Sequence, residues 1–401
     1  MNTNHHQNPY GVGLAYRFHV HEEAVAHREE IDLLEISTED YIVRERRTFS
    51  DPDERLLLDA LSRFPCVAHG LSLSIGTVGP LDEVYLSSTE QFLRDNELEV
   101  FSEHLAFHRV DGNDLTMFLA MPFEEVSVEW IKRNYHAVRE RLGRSFALEN
   151  VTYSFPVPDG SLSEADFLRR ICEETDCTLL LDVTNVFNNA ENHGYDAREF
   201  LDRLPMHRVS QMHLAGGHQL PDGRWEDSHS APVMDRVWPL YEEAVRRAEN
   251  LRFVILERDS KLKPFSDVMN DIRRARKIFY TFRPERPPTD SENRSAEPSP
   301  VPPDSAAPEF AGLRSFQRAL MARIADPEFR AEFRRDAPRA VVSKGLTDSD
   351  WLQRLLDCPG ERIHEFEEAW DYFAKENREI ESEYEQREWA AWANQLGRGG
   401  W

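Results

Sequence analysis

Several things are scarce in this sequence, and each shortage narrows what the chain can be. Only four cysteines occur in 401 residues, Cys66, Cys172, Cys177 and Cys358, and they fall in no paired spacing. That argues against a disulfide-stapled fold and against a thiolate zinc site, so Cys172 and Cys177 read as packing a helix against a strand. Any metal here takes oxygen and nitrogen ligands. Nowhere are there about 18 consecutive apolar residues, and the start "MNTNHHQNPYGVG" lacks a basic segment followed by an apolar run, so a cytoplasmic protein with no membrane partner is expected. Positive charge is also short: 48 Lys plus Arg face 73 Asp plus Glu, a formal charge of −25. Such a balance repels phosphate backbones, so nucleic acid is not an expected partner. Neither a G-x-G-x-x-G loop nor a Walker loop is present.

What the chain does have is a repeating order. Short β-branched apolar runs, each followed by a segment of helical period, are expected to form strands at residues 11–17, 32–38, 66–74, 100–107, 146–152, 178–186, 209–216 and 253–259. Segments such as "SEADFLRRICEETD" carry apolar residues three and four apart and read as surface helices. Eight such alternating units predict an α/β fold of the closed (β/α)8 type, a TIM barrel over residues 1–282. Residues 283–309 follow as a linker, because "PERPPTDSENRSAEPSPVPPDSAAP" holds eight prolines among Ser, Asp and Glu and cannot bury a core. Residues 310–401 read as a small all-α domain. Leu313, Phe316, Leu320 and Ile324 share one helical face, and a longer pattern runs through Ile363, Phe366, Trp370, Phe373, Ile380 and Tyr384. Trp351, Trp370, Trp389, Trp392 and Trp401 crowd this last quarter, either filling a small core or offering aromatic surface to a partner.

Polar residues interrupt the expected barrel strands, and nearly all are metal-ligand types. His69 lies in "VAHGLSLS", His104 in "SEHLAFH", Glu149 in "FALENVT", Asp182 and Asn185 in "LLLDVTNVF", His213 in "QMHLAGG" and Glu257 in "ILERD". Asp227 and His229 sit in "GRWEDSHSAPV", a long excursion after the seventh strand. A single strand histidine is ordinary, and Glu257 before "RD" also fits a plain salt-bridge cluster. Together, at the C-terminal rim where the loops of such a barrel converge, five acids and amides with four histidines demand compensating positive charge, which a divalent metal supplies. The expected division is His69, His104 and Glu149 on one ion, Glu149, Asp182, His213 and Glu257 on a second, and Asn185, Asp227 and His229 on a third. Glu39 and Asn150 are candidates for fixing the ligand imidazoles.

The motifs "HGLSLSIG", "SEHLAF", "LEN", "LLDVTNVFNNAENHGYD", "MHLAGGH", "DSHSAPV", "VWPLY" and "LERD" resemble, in order, those of the multinuclear non-heme iron-dependent oxidative enzymes, over residues 9 to 280. The best-known member of that family works in methanobactin biosynthesis. The resemblance implies a TIM barrel similar to xylose isomerase and two or three iron ions of mixed valence. It also implies dioxygen as co-substrate and a ribosomally made precursor peptide as substrate, often modified at cysteine. It carries ligand roles onto the nine residues above, and a supporting or loop-shaping role onto Asn192, His193 and Asp196 of "NHGYD". Many members act with a separate protein that presents the precursor's leader, a role the helical domain would fill in cis. The alternative is a metal-dependent hydrolase or isomerase similar to endonuclease IV or xylose isomerase, in which the third site has a histidine where this chain has Asn185.

Overall fold

The computed structural model describes residues 9–42, 54–111, 113–285, 307–368 and 370–371. The chain divides into two compact units: Met1–His108 with Met117–Ala311, and Arg109–Thr116 with Gly312–Trp401.

The first unit is a closed barrel of eight parallel strands. They are β1 (Gly11–Ala15), β2 (Leu34–Ser37), β3 (Cys66–Gly70), β4 (Val100–His104), β5 (Ser145–Glu149), β6 (Thr178–Asp182), β7 (Val209–Ala215) and β8 (Phe253–Glu257). Each pairs with its sequence neighbours, and β1 pairs with β8 to close the ring. All eight expected strands form, as a (β/α)8 barrel, but each ends earlier than its apolar run suggests. The reason is clearest at β6. Asp182 is in extended backbone and its carboxylate accepts a hydrogen bond from Asn185 N, so it caps the helix Val183–His193 and stops the strand. "VTNV" is therefore helix, and Asn185 stands in its first turn.

The surrounding helices follow the expected pattern. In Glu164–Thr175, Ser163 caps the first turn, and Ala165, Leu168, Ile171, Cys172 and Thr175 form the buried stripe. Burial of one such aliphatic side chain contributes about 1.5–3 kcal/mol. Cys172 and Cys177 are buried and free, their sulfurs 3.8 Å apart where this helix meets β6. Inside the barrel, Ala15, Leu33, Val67, Val100, Phe253 and Ile255 form an apolar core. Among the described residues no helix is long and apolar enough to cross a membrane.

A two-stranded sheet, Phe107–Val110 with Asn113–Leu119, departs from the expected pattern after β4. Its tip, Arg109–Thr116, belongs to the second unit. There Asp111 pairs with Arg318, Nε to Oδ2 at 2.6 Å. This unit contains the helices Ala311–Ala325, Pro327–Arg335, Ala337–Val342 and Ser349–Asp357 and a further helical run from residue 360. Leu313, Phe316, Leu320 and Ile324 are all buried on one face of the first of them. The Trp351 ring packs on Phe316 and over Gly312, and Trp370 Nε1 donates to the Ala325 carbonyl. Residues 286–306, most of the expected linker, and Phe373, Ile380, Tyr384, Trp389, Trp392 and Trp401 lie outside the described residues.

Candidate metal centre

Side chains alternate sides along a strand, so every second residue of each barrel strand points inward. The inward sets of β3 to β8 carry, at or next to their ends, His69, His104, Glu149, Asp182, His213 and Glu257. Beneath them lie apolar residues of the same parity, Val67, Val100 and Ile255 among them. Strand register pairs His104 with Glu149 and Asp182 with His213, while His69, Glu149 and His213 stand opposite the residues two before His104, Asp182 and Glu257 on the next strand.

Glu149 is the hub. Its Oε2 lies 3.4 Å from His69 Nε2 and 3.6 Å from His104 Nε2, and its Oε1 lies 3.3 Å from His213 Nδ1. Glu257 Oε2 is 3.1 Å from His213 Nδ1 and 3.7 Å from His229 Nε2. Among the described residues, three groups have ligand atoms within 4.8 Å of one another and so could hold an ion: His69, His104 and Glu149; Glu149, Asp182, His213 and Glu257; and Glu35, His69 and His213.

The excursion after β7 folds back over this rim by tight backbone turns. Gly216 and Gly217 are required, because a Cβ on either would overlap the carbonyls of Ala231 and Glu226. The same turn is tied by Ser230 N donating to Gly216 O, and Asn192 holds the backbone of Trp225 from both sides. Asp227 Oδ1 then comes within 3.0 Å of His229 Nε2. His229 itself adopts φ 46°, a left-handed conformation that costs on the order of 1 kcal/mol for such a residue.

Five side-chain atoms at this centre, Glu149 Oε2, Asp182 Oδ2, His213 Nδ1, Asp227 Oδ1 and His229 Nε2, are buried with no hydrogen-bond partner. Each such atom costs about 1–3 kcal/mol, more where it is charged. Carboxylate oxygens and imidazole nitrogens gathered in this way are the donor set of a divalent transition metal, so the residues fit one. The electrostatics show the same missing charge. Burial, then Asp227, Glu149 and Glu257, push the Asp182 carboxyl well above its ordinary range. Burial works against ionised Glu257, yet His213 and His229 hold it well below. Burial lowers His69, helped by His104 and His213. On His104 burial is outweighed by Glu149 and Glu103, and the imidazole rises to about 9.

Asn185 is beside this group. Its amide nitrogen donates to the Asn150 carbonyl at 3.1 Å and its Oδ1 accepts from Thr152. Asn150 in turn clamps the Asp182 backbone, donating to its carbonyl and accepting from its N–H. Asn150 thus holds two candidate ligands in place, neither of them an imidazole. Glu39 accepts from Leu71 N at 2.7 Å and from the Thr38 hydroxyl, fixing the loop after β3. His193 stacks on Tyr153 and bonds its carbonyl, while Asp196 caps the helix Ala197–Arg203.

Sequence reasoning missed three residues here. Glu35, inward on β2, lies 3.0 Å from His213 Nε2. Asp259, just beyond β8, lies 2.9 Å from His229 Nδ1 and pairs with Arg17. Phe118 stacks on the His104 ring at 4.1 Å. For Glu35 the available signal was a lone acid at inward parity in the apolar run "LLEIS".

Known proteins supply the remaining context. A UPF0276 protein of Nitrosospira multiformis is 36% identical over 242 residues, 60% of this chain and 83% of that one. One of Pseudomonas aeruginosa is 35% identical over 272 residues, 67% and 92% of the two chains. Among solved structures, the zinc-bound IOLI protein aligns with TM-score 0.43 and 13% identity, covering 68% of this chain and 99% of that one. D-psicose 3-epimerase of Clostridium cellulolyticum aligns with TM-score 0.41 and 14% identity, covering 68% and 98%. The family model described as RiPP precursor modification enzyme MbnB/TglH/ChrH matches residues 11–280, which include the barrel and all nine candidate ligand residues. This chain therefore belongs to that family of enzymes, which modify the precursors of ribosomally made peptide natural products.

Proposed function

We propose that the chain is an iron- and dioxygen-dependent oxidoreductase that modifies a precursor peptide at cysteine. The observation that carries this reading is the set of five buried donor atoms at the barrel rim that crowd toward one another without making a hydrogen bond. His69, His104 and Glu149 would hold one ion, Glu149, Asp182, His213 and Glu257 a second, and Asn185, Asp227 and His229 a third. Imidazole, carboxylate and amide donors take Fe(II), Mn(II) and Zn(II) alike, and iron is chosen because an oxidation needs a redox metal. Iron bound there supplies one-electron chemistry and a place for dioxygen and thiolate to meet.

The chain's own residues decide access. Asp182 and His213 are fully buried, whereas the side chains of His104, His229 and Asp227 are 13, 17 and 21% exposed. A peptide side chain thus reaches the centre between the β4 end and the excursion, where the candidate ligands are partly exposed. The substrate is held there in place of water, in a geometry set by the protein. The metal-dependent hydrolase or isomerase reading is not favoured, since the matching family modifies peptides.

The test is iron loading in the cell, anaerobic purification, and incubation of the full chain with a cysteine-bearing precursor peptide and oxygen. A change in peptide mass that needs both iron and oxygen supports the reading; hydrolysis with zinc alone overturns it. The reading also assigns residues 305–401, which lie beyond the matched residues 11–280, to holding the precursor's leader. Removal of residues 305–401 should then weaken peptide binding, and unchanged affinity would rule that assignment out.

A further inference from the structure

Each candidate ligand imidazole has a second ring nitrogen, and what that nitrogen meets differs. His69 Nδ1 meets Ser102 Oγ at 2.9 Å, and His104 Nδ1 meets the Gly70 carbonyl at 3.2 Å with the Glu103 carboxylate farther off at 3.8 Å. His213 Nε2 meets Glu35 Oε2 at 3.0 Å, and His229 Nδ1 meets Asp259 Oδ2 at 2.9 Å. These two partners are carboxylates. In both cases the opposite nitrogen is the one without a hydrogen-bond partner, Nδ1 of His213 and Nε2 of His229. The two rings therefore turn different nitrogens to the centre, and in each it is the nitrogen away from the carboxylate.

We infer that Glu35 and Asp259 are positioning residues, which hold His213 and His229 in the tautomer and orientation that present a bare nitrogen to a metal ion. This rests on the metal reading above. A neutral imidazole has one N–H. An acceptor carboxylate takes that proton on its own side, leaves the other lone pair for a cation, and makes the ring a stronger donor. Glu35 suits the part: it is 3% exposed, and from β2 it reaches a residue of β7, a strand it does not pair with. Asp259 is steadied from the opposite side by Arg17, which also offsets its charge.

Glu35, His69 and His213 also lie close enough to share an ion themselves. That competing role is separable, because losing a ligand removes an ion whereas losing a positioning group weakens one. The geometry favours positioning, since the His213 nitrogen that faces Glu35 is already engaged by it.

The test uses Co(II) alone as probe, titrated into the full chain against a competing chelator and followed by its visible ligand-field bands. Wild type and the variants Glu35→Gln, Glu35→Ala and Asp259→Asn are compared, with circular dichroism and melting as controls for folding. Glu35→Ala should bind the same number of ions with affinity for the weakest of them lowered about 10–100-fold and bands shifted. Glu35→Gln, which keeps an acceptor, should fall between it and wild type. Asp259→Asn should weaken one ion in the same way. Affinity and bands equal to wild type in all three would overturn the inference, and so would the loss of a whole ion in Glu35→Ala. Wild type that takes up no Co(II) would instead overturn the metal reading itself. If Glu35→Ala does not fold, Glu35→Gln and Asp259→Asn decide.

Discussion

Two kinds of backbone build the candidate metal centre, and they secure their residues differently. The floor, His69, Glu149, Asp182, His213 and Glu257, stands on strands whose hydrogen-bonded register fixes each position to its neighbour. The rim pair, Asp227 and His229, stands on an excursion held by two close-packed glycines, the Asn192 clamp and the Asp259 contact. The floor is fixed by the same forces that fix the barrel. The rim depends on a few local contacts that a single substitution removes, so the two halves should respond differently to mutation.

The largest effect is expected at the hub. Glu149→Gln replaces a carboxylate that faces three imidazoles, and metal analysis should show loss of both ions it would share, leaving at most the rim ion. Asp227→Ala should remove the rim ion alone, with melting temperature nearly unchanged; loss of every ion would mean that floor and rim are one indivisible site. Asn192→Ala comes next. It deletes two hydrogen bonds to the Trp225 backbone, about 1–2 kcal/mol in all. Hydrogen exchange over residues 217–229 should quicken while the barrel strands keep their protection.

The smallest effect concerns the wall beside Asn185, where Glu164 accepts from Tyr153, Tyr195 and Asn189. Burial raises its carboxyl to about 7. A raised carboxyl favours the protonated folded state, so its contribution is complete below the ordinary carboxylate range and is lost as pH rises through about 7. Glu164→Gln should therefore melt with wild type at pH 4 and above it at pH 8. The gap is on the order of 1 kcal/mol, since the side chain is partly open to water. Equal melting at both values would place the proton elsewhere.

How much of this was legible in the sequence follows from the same contrast. The eight strands could be read because a barrel strand is buried on both faces and so appears as an unbroken apolar run. Their ends could not, because Asp182 reads as part of the run until its capping of the next helix is seen. The sheet after β4 carried a signal in "RVDGND", an Asp-Gly turn between alternating residues, that strand counting passed over. The floor residues stood out as polar interruptions of apolar runs. The rim pair, in a loop without period, was reached only through its place in the long excursion after the seventh strand, beside the rim where the other candidates converge. Glu35 and Asp259 were missed because what distinguishes them is a contact across the barrel or back from a loop, which spacing along the chain does not encode.

The most direct test of the account is iron content, measured together with Mössbauer spectroscopy on the full chain purified after expression with iron. The account predicts more than one iron per chain with the signature of exchange-coupled ions, lost in Glu149→Gln. A correctly folded wild type that carries no transition metal, or a single isolated ion that survives Glu149→Gln, would contradict it.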